Sequence, residues 1–351
     1  MLKLPDIRRV HVELTTRCNA RCPMCMRNYR GYEHNSGYPV TELSLADFQK
    51  ILSPDLLAQL IQPDPMTGNL VPVVYGFRGV SFNGNLGDFA NARDAVEIVE
   101  YLVEHKVPVM INSNGSLRSA DWWARLALPG VTIGFAIDGL ADTHQLYRQD
   151  TDWNRVIEHA RAYIGAGGRA FWRFVPFEHN RHQEEQCRKL SEDMGFVKFE
   201  NIYDGRDRGP VYTRSGEFSH WIGPTSPLQP PPPPLKDMLA SHVTWYNKNS
   251  KFPKDTPELN IQCNHKRHQE IYVAADGSVY PCCFLGFYPG QMTHPGNDEL
   301  SKMVKENNAL EYDLAHCLEW FESVEESWKK ASIAEGRLYQ CIDTCNQVNR
   351  T

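Results

Sequence analysis

Val10-His-Val-Glu-Leu-Thr-Thr-Arg-Cys-Asn-Ala-Arg-Cys-Pro-Met-Cys-Met-Arg-Asn28 is the stretch on which the reading of this chain turns. Val10 to Leu14 is an extended run, and Cys18, Cys22 and Cys25 follow where a strand should give way to a loop. Thiolates are soft ligands suited to iron–sulfur clusters or zinc. Three of them in eight residues can wrap one face of a cubane cluster and leave its fourth iron without a protein ligand. A structural zinc site wants a fourth Cys or His, and none lies close by in this loop. A disulfide leaves one of three thiols over. The iron–sulfur reading is the stronger one.

Composition narrows the class. The chain has 351 residues, 41% hydrophobic, with 8 Trp, 15 Tyr and 15 Phe, enough for one large domain and a smaller one. The net charge of −6 supplies no basic field to draw the chain to nucleic acid. The first residues lack a signal-peptide core, and no apolar run is long enough to span a bilayer. Ten cysteines without such a signal point to a reducing compartment, the cytoplasm, where clustered thiols mean metal or catalysis.

The periodicity alternates between strand and helix. Ser44 to Leu60 reads as a helix with Ser44 as N-cap, and Gly79 to Asn83 as a short strand before Gly84-Asn-Leu-Gly-Asp88. A helix over Asn91–His105 and a strand over Val107–Ile111 lead to Asn112-Ser-Asn-Gly115. A helix over Ser119–Leu126 and a strand over Val131–Ile137 lead to Asp138-Gly139. Helix Trp153–Ile164, strand Ala170–Val175, helix Gln183–Met194 and strand Val197–Ile202 complete six strands. Short connections and strict alternation argue for a parallel β/α architecture. Every unusual motif then falls just after a strand, at the end where such folds build their sites.

Cys-x3-Cys-x2-Cys in a loop after a first strand resembles the radical S-adenosylmethionine (SAM) enzymes. The resemblance covers roughly residues 7 to 205 and implies a partial (β/α)6 TIM barrel. It implies a [4Fe–4S] cluster on Cys18, Cys22 and Cys25 whose open iron is chelated by SAM. Gly84-Asn-Leu-Gly-Asp88 occupies the place of the family's Gly-Gly-Glu motif, which assigns Gly84, Asn85, Gly87 and Asp88 to the SAM ammonium; this is a departure from the usual form. Asn112–Gly115 resembles the family's Thr-Asn-Gly, placing Asn114 at the same cavity. Asp138 and Asn180 fall where the ribose and carboxylate of SAM are met, and Arg148 suits the carboxylate. Met24 stands where the family often has an aromatic residue near adenine. Glu178, His179 and His182 form a polar cluster near the barrel mouth, read either as substrate acid–base groups or as a hydrogen-bonded loop.

Beyond residue 205 the composition changes. Residues 206–255 include five consecutive prolines and read as a semi-rigid linker. Residues 256–351 hold Cys263, Cys282, Cys283, Cys317, Cys341 and Cys345, with a β-hairpin over Ile271–Tyr280 turning at Asp276-Gly277. Cys263, Gly277 and Cys282 match the C-x(9–15)-G-x4-C spacing of the twitch or SPASM extensions of radical SAM enzymes. The longer SPASM cysteine run is absent. The resemblance therefore implies a small α+β domain with one auxiliary [4Fe–4S] cluster on Cys263, Cys282, Cys341 and Cys345. Cys283 is the alternative to Cys282, and a zinc site is the competing use of these thiols. Cys317, Cys187, His265 and His268 read as structural or solvated, and Trp172 and Phe174 as packing.

The implied activity is reductive cleavage of SAM to a 5′-deoxyadenosyl radical and hydrogen abstraction from a small molecule or peptide. The auxiliary cluster would take an electron or anchor substrate. An external flavodoxin- or ferredoxin-like donor is implied. The short stretch before the first strand leaves no room there for a leader-peptide domain, tilting toward a small molecule or a peptide brought by a separate partner. Competing readings are a nucleic-acid-modifying relative, disfavoured by the acidic balance, and a non-catalytic zinc-stabilised binding protein. No membrane partner is expected.

Overall fold

The computed structural model describes residues 2–25, 27–28, 30–32, 39–61, 78–203, 209–223, 232, 235, 259–287 and 297–346. The chain divides into two compact units, one of residues 1–13, 41–81 and 239–351, the other of residues 14–40 and 82–238.

In the first unit, β1 (Arg9–Val12) lies parallel to β9 (Glu270–Val273), with Val10 opposite Ile271 and His11 opposite Tyr272. β10 (Val279–Tyr280) returns antiparallel on β9, so the hairpin expected around Asp276-Gly277 is present. It is built directly onto the first strand. Gly277 sits at φ +86°, the left-handed conformation that the turn requires. The buried Glu13 carboxylate accepts a 2.6 Å hydrogen bond from Tyr272 Oη, tying the two ends of the sequence together. The single helix expected over Ser44–Leu60 is two, α1 (Leu45–Ile51) and α2 (Pro54–Leu60). Pro54 has no N–H to continue the helix and holds Ser53 extended at ψ 158°, from where Ser53 Oγ caps α2. Ser44 caps α1 as expected. Further along, helices Asn297–Met303 and Phe321–Ser327 are separated by a 3-10 turn at His316–Leu318.

The second unit carries β3 (Val109–Ser113), β4 (Val131–Ala136), β5 (Arg169–Phe174) and β6 (Lys198–Asn201), all parallel and adjacent in that order. Alternate residues of β3 and β5 are buried, including Ile111, Trp172 and Phe174. Helices α3 (Ala95–Glu104), α4 (Ala120–Arg125), α5 (His144–Tyr147), α6 (Trp153–Gly165) and α7 (Glu184–Asp193) fill the crossovers. Asp152 caps α6 by accepting from Asn154 N at 2.9 Å, and α6 buries Val156, Ile157, Ala160 and Tyr163. Trp123 and Phe135 meet at 5.2 Å between centroids, and Trp172 Nε1 donates to the Ile137 carbonyl at 3.0 Å. Large side chains thus enter the core with their polar atoms satisfied.

Part of the expected linker is ordered structure. β7 (Gly209–Tyr212) and β8 (Phe218–Ile222) form an antiparallel hairpin, with Val211 and Ile222 buried beside Cys22, Tyr147, Val175 and Phe177. The proline run, apart from position 232, and residues 236–255 lie outside the described residues.

Removing one hydroxyl tests the join between β9 and β1. Tyr272→Phe leaves the buried Glu13 carboxylate short of a donor and should lower the unfolding free energy by about 1–3 kcal/mol, measured by chemical denaturation.

Candidate functional site

The cysteine loop hangs from the end of β1, and its shape is set by local hydrogen bonds. Cys25 N donates to the Cys22 carbonyl at 2.9 Å, Asn28 Nδ2 to the same carbonyl at 2.9 Å, and Ala20 N to Cys18 Sγ at 3.4 Å. Cys22 is buried, while Cys18 and Cys25 are half-buried. Burial is the main force raising the Cys18 and Cys22 thiols, Cys22 to about 11, and each is raised further by its neighbouring cysteines. Three soft donors crowded in one loop, two of them held above the usual thiol range mainly by burial, suit a positively charged metal centre.

Two more loops are stapled to this one. Gly87 passes so close that a Cβ built on it would lie 1.7 Å from the Thr15 carbonyl oxygen, and only glycine allows that approach. Asp88 N donates to the Arg17 carbonyl at 2.9 Å. Its buried carboxylate accepts from Ser113 Oγ at 2.8 Å, Asn114 N at 2.8 Å and Ala90 N at 3.0 Å. Burial raises the Asp88 pKa against these donors. Asp88 is thus committed to joining loops, with Gly84 and Asn85 half-buried before it. Asn114 Nδ2 reaches Asn19 Oδ1 at 3.1 Å and Cys18 Sγ at 3.8 Å, and Asn19 Nδ2 donates to Ser116 Oγ at 2.7 Å. Of the Asn19–Asn114–Ser116 set, the sequence singles out Asn114 alone; for Asn19 the signal is an amide between two metal-type cysteines.

After β4, Asp138 is fully buried and takes Arg148 Nε at 2.6 Å on one oxygen and Val175 N at 2.7 Å on the other. Arg148 Nη1 reaches Cys22 Sγ at 3.8 Å. Burial opposes the Arg148 charge, but Asp138 and Cys22 more than offset it and raise its pKa. His144 completes the frame. Its Nδ1 accepts from Asp138 N at 3.1 Å, its Nε2 pairs with Thr151 Oγ1 at 3.1 Å, and Thr151 Oγ1 donates to the Arg148 carbonyl at 2.6 Å. Burial, then Arg148, pushes His144 down to about 3.

The loop after β5 divides its expected site residues. Asn180 is fully buried, accepting from Phe177 N at 2.7 Å and donating to the Val175 carbonyl at 3.0 Å, so its amide closes its own loop. Glu178 and His182 are exposed, whereas His179 is half-buried. His179 stacks on Phe177 at 5.2 Å and 10°, with both ring nitrogens shielded and without a hydrogen-bond partner. Burial, then His220 and His182, pushes it down to about 4. Met24 packs at the edge of the cluster holding Cys22 and Phe177, and Arg30 Nη1 lies 2.8 Å from its sulfur.

The first unit holds a second thiol group. Cys263, Cys282, Cys341 and Cys345 line one cavity, whose remaining wall is largely apolar and includes Phe284, Leu285, Phe321 and Val324. The Cys263–Cys345 hydrogen bond, opposed by burial at Cys263, holds the Cys263 thiol below its ordinary value and the Cys345 thiol above its own. Burial raises Cys282 and takes Cys341 up to about 12. Cys283 stands apart, 3.9 Å from His265 Nε2, while His265 Nδ1 pairs with Glu270 at 3.1 Å. Cys317 and Cys187 are fully buried. Among the described residues no three His, Cys, Asp or Glu side chains converge tightly enough to hold a metal ion. A cubane takes its cysteines on separate irons, so what it needs is a shared cavity of thiols; Cys263, Cys282, Cys341 and Cys345 line one, and Cys18, Cys22 and Cys25 lie close enough to act on one another electrostatically.

No family model and no curated protein matches the sequence. Solved structures do match. Streptococcus suis SuiB bound to S-adenosylmethionine superposes with a TM-score of 0.54 at 15% identity, covering 89% of this chain and 65% of that one. SuiB bound to its precursor peptide SuiA gives 0.53 at 14% identity, over 90% and 65%. anSMEcpe with bound AdoMet gives 0.50 at 15% identity, over 96% and 87%. The chain therefore spans just under two thirds of SuiB. At these identities the likeness establishes a shared fold.

Two outcomes follow from the site's packing. Gly87→Ala should cost about 3 kcal/mol in thermal or chemical denaturation, whereas Gly165→Ala, where nothing lies within 4 Å, should be near neutral. His144 stays neutral in the folded chain down to about 3 but titrates near 6.5 when unfolded. The unfolded state therefore binds the extra proton between those values, so stability falls as pH drops through that window, by roughly 5 kcal/mol at most. His144→Gln should remove this component from the acid limb of the stability–pH curve.

Proposed function

We propose that this chain is a radical SAM enzyme with a C-terminal, twitch-like auxiliary cluster. The observation that carries the proposal is the cysteine loop: three thiols crowded together, with Asn114 aimed at one sulfur, Arg148 at another, and the glycine loop fastened alongside. Fold similarity to SAM-bound SuiB and anSMEcpe supports the same reading.

Cys18, Cys22 and Cys25 would hold the SAM-binding [4Fe–4S] cluster; Cys263, Cys282, Cys341 and Cys345 would hold the auxiliary one. When bound and reduced by a flavodoxin- or ferredoxin-like donor, the first centre supplies the electron that cleaves SAM to a hydrogen-abstracting 5′-deoxyadenosyl radical. The chain's residues bind and orient. Backbone carbonyls of Gly84, Asn85 and Gly87 would meet the SAM ammonium, and Met24 the adenine side. Asn114 lines the same cavity. Asp88, Asp138 and Asn180 keep the loops in place, so that SAM is held in one pose and water is kept from the reacting carbon. His179, neutral and without a protein partner, would accept or donate one hydrogen bond to substrate.

Residues 1–205 would form the partial barrel that holds SAM and residues 256–351 the auxiliary-cluster segment. We favour a peptide substrate over a small metabolite, because SuiB is a fold neighbour solved with a precursor peptide. The reaction is hydrogen abstraction, with the auxiliary centre accepting an electron or anchoring substrate.

Anaerobic iron and sulfide analysis with electron paramagnetic resonance tests the proposal. Wild type should hold about eight irons, and both the Cys18/Cys22/Cys25→Ala variant and the Cys263/Cys341→Ala variant about four. Cys317→Ala should match wild type. A reconstituted wild type that holds zinc and no iron sinks the proposal.

A further inference from the structure

We infer that Arg148 is a charge-setting residue for the cysteine-loop centre, fixed by Asp138 so that its guanidinium raises that centre's reduction potential. The inference rests on the cluster assignment proposed above and replaces the expectation that Arg148 serves first as a partner for the SAM carboxylate.

The geometry is specific. Arg148 is only 14% exposed at its side chain and Asp138 is not exposed at all. One Asp138 oxygen takes Arg148 Nε at 2.6 Å; the other is taken by Val175 N at the end of β5. The arginine cannot slide away without leaving a buried carboxylate unpaired. Its backbone is held as well, since Thr151 Oγ1 donates to its carbonyl at 2.6 Å and His144 Nε2 pairs with that hydroxyl. The free end of the fork is then directed at Cys22 Sγ, 3.8 Å from Nη1. The Tyr147 ring lies 5.2 Å from Cζ and shields the guanidinium from one side.

Reduction of the centre by an external low-potential donor adds one electron and no proton. A cation beside a ligand sulfur stabilises the added charge, and hydrogen bonds to the sulfur act in the same direction. In a dry site the effect is larger than in water. Arg148 Nη1 is the cationic group at Cys22 Sγ, where Cys25 and Asp138 are the anionic ones. Asp88 acts at Cys18, where it opposes added negative charge. Arg148 is therefore a fixed cation acting directly at a sulfur of the loop.

Potentiometric titration of the reconstituted, SAM-free protein, followed by electron paramagnetic resonance, reads the effect directly. Arg148→Gln should lower the midpoint by about a tenfold change in the reduction equilibrium, ~59 mV for one electron. Arg148→Lys, which keeps the charge, should stay near wild type. A midpoint unchanged in Arg148→Gln, or shifted equally in both variants, overturns the inference. So does a loss confined to SAM affinity. Should Arg148→Gln fail to retain iron, Arg148→Met is titrated as the neutral variant under the same criteria. If neither neutral variant holds iron while Arg148→Lys does, the charge requirement stands; if Arg148→Lys loses iron with them, it falls. A wild type that holds no iron instead defeats the cluster assignment itself.

Discussion

A buried carboxylate is the constraint on which the site depends. Asp88 has both oxygens engaged by groups from its own loop and from the end of β3, while its N–H is engaged by the cysteine loop. Such a charge is tolerated in the interior only with its partners in place. The three segments are therefore fixed together or not at all. Gly87 makes the contact possible sterically, since any side chain there meets the Thr15 carbonyl. Asp138 repeats the device one strand further on, joining the loops after β4 and β5 through Arg148 and Val175 N. Two pairs of neighbouring strand ends are thus each locked by a single acid, and the cysteine loop contacts both, through Asp88 N and through Arg148.

Much of this organisation was legible in the sequence, and the failures share a cause. The β/α alternation emerged because its apolar spacing is local, as in β5, where Ala170, Trp172 and Phe174 are buried in turn. The cysteines emerged because thiols at such spacing have few other uses. The inward or outward aim of a polar residue is not local information. Asp88, Asp138 and Asn180 were read as cofactor contacts from their places after strands, yet their side chains are occupied by backbone and by Arg148. Glu178, His179 and His182 share a loop, but only His179 turns inward. The parallel pairing of β9 with β1 joins residues some 260 positions apart, which no window of sequence reveals. The β7–β8 hairpin was legible and passed over. Its turn carries Gly216 N donating to the Thr213 carbonyl, between strands rich in aromatic and β-branched residues, but the prolines beside it suggested a linker.

The second group of thiols extends the same logic to the C-terminal residues. Cys263 lies ahead of the β9–β10 hairpin, Cys282 just behind it, and Cys341 and Cys345 on the helix Tyr339–Cys345. Only folding brings them to one cavity. Cys283, one residue from Cys282, instead engages His265, which shows how strongly a single step along the chain redirects a side chain. The largely apolar wall of that cavity limits the access of solvent to its thiols.

The central claim is that the cysteine loop supports reductive SAM cleavage, and the most direct measurement is the formation of 5′-deoxyadenosine. Reconstituted protein would be incubated anaerobically with SAM and dithionite and the products resolved by mass spectrometry. The account predicts 5′-deoxyadenosine and methionine from wild type and neither from Cys25→Ala. A fully iron-loaded wild type yielding no more 5′-deoxyadenosine than Cys25→Ala would contradict it.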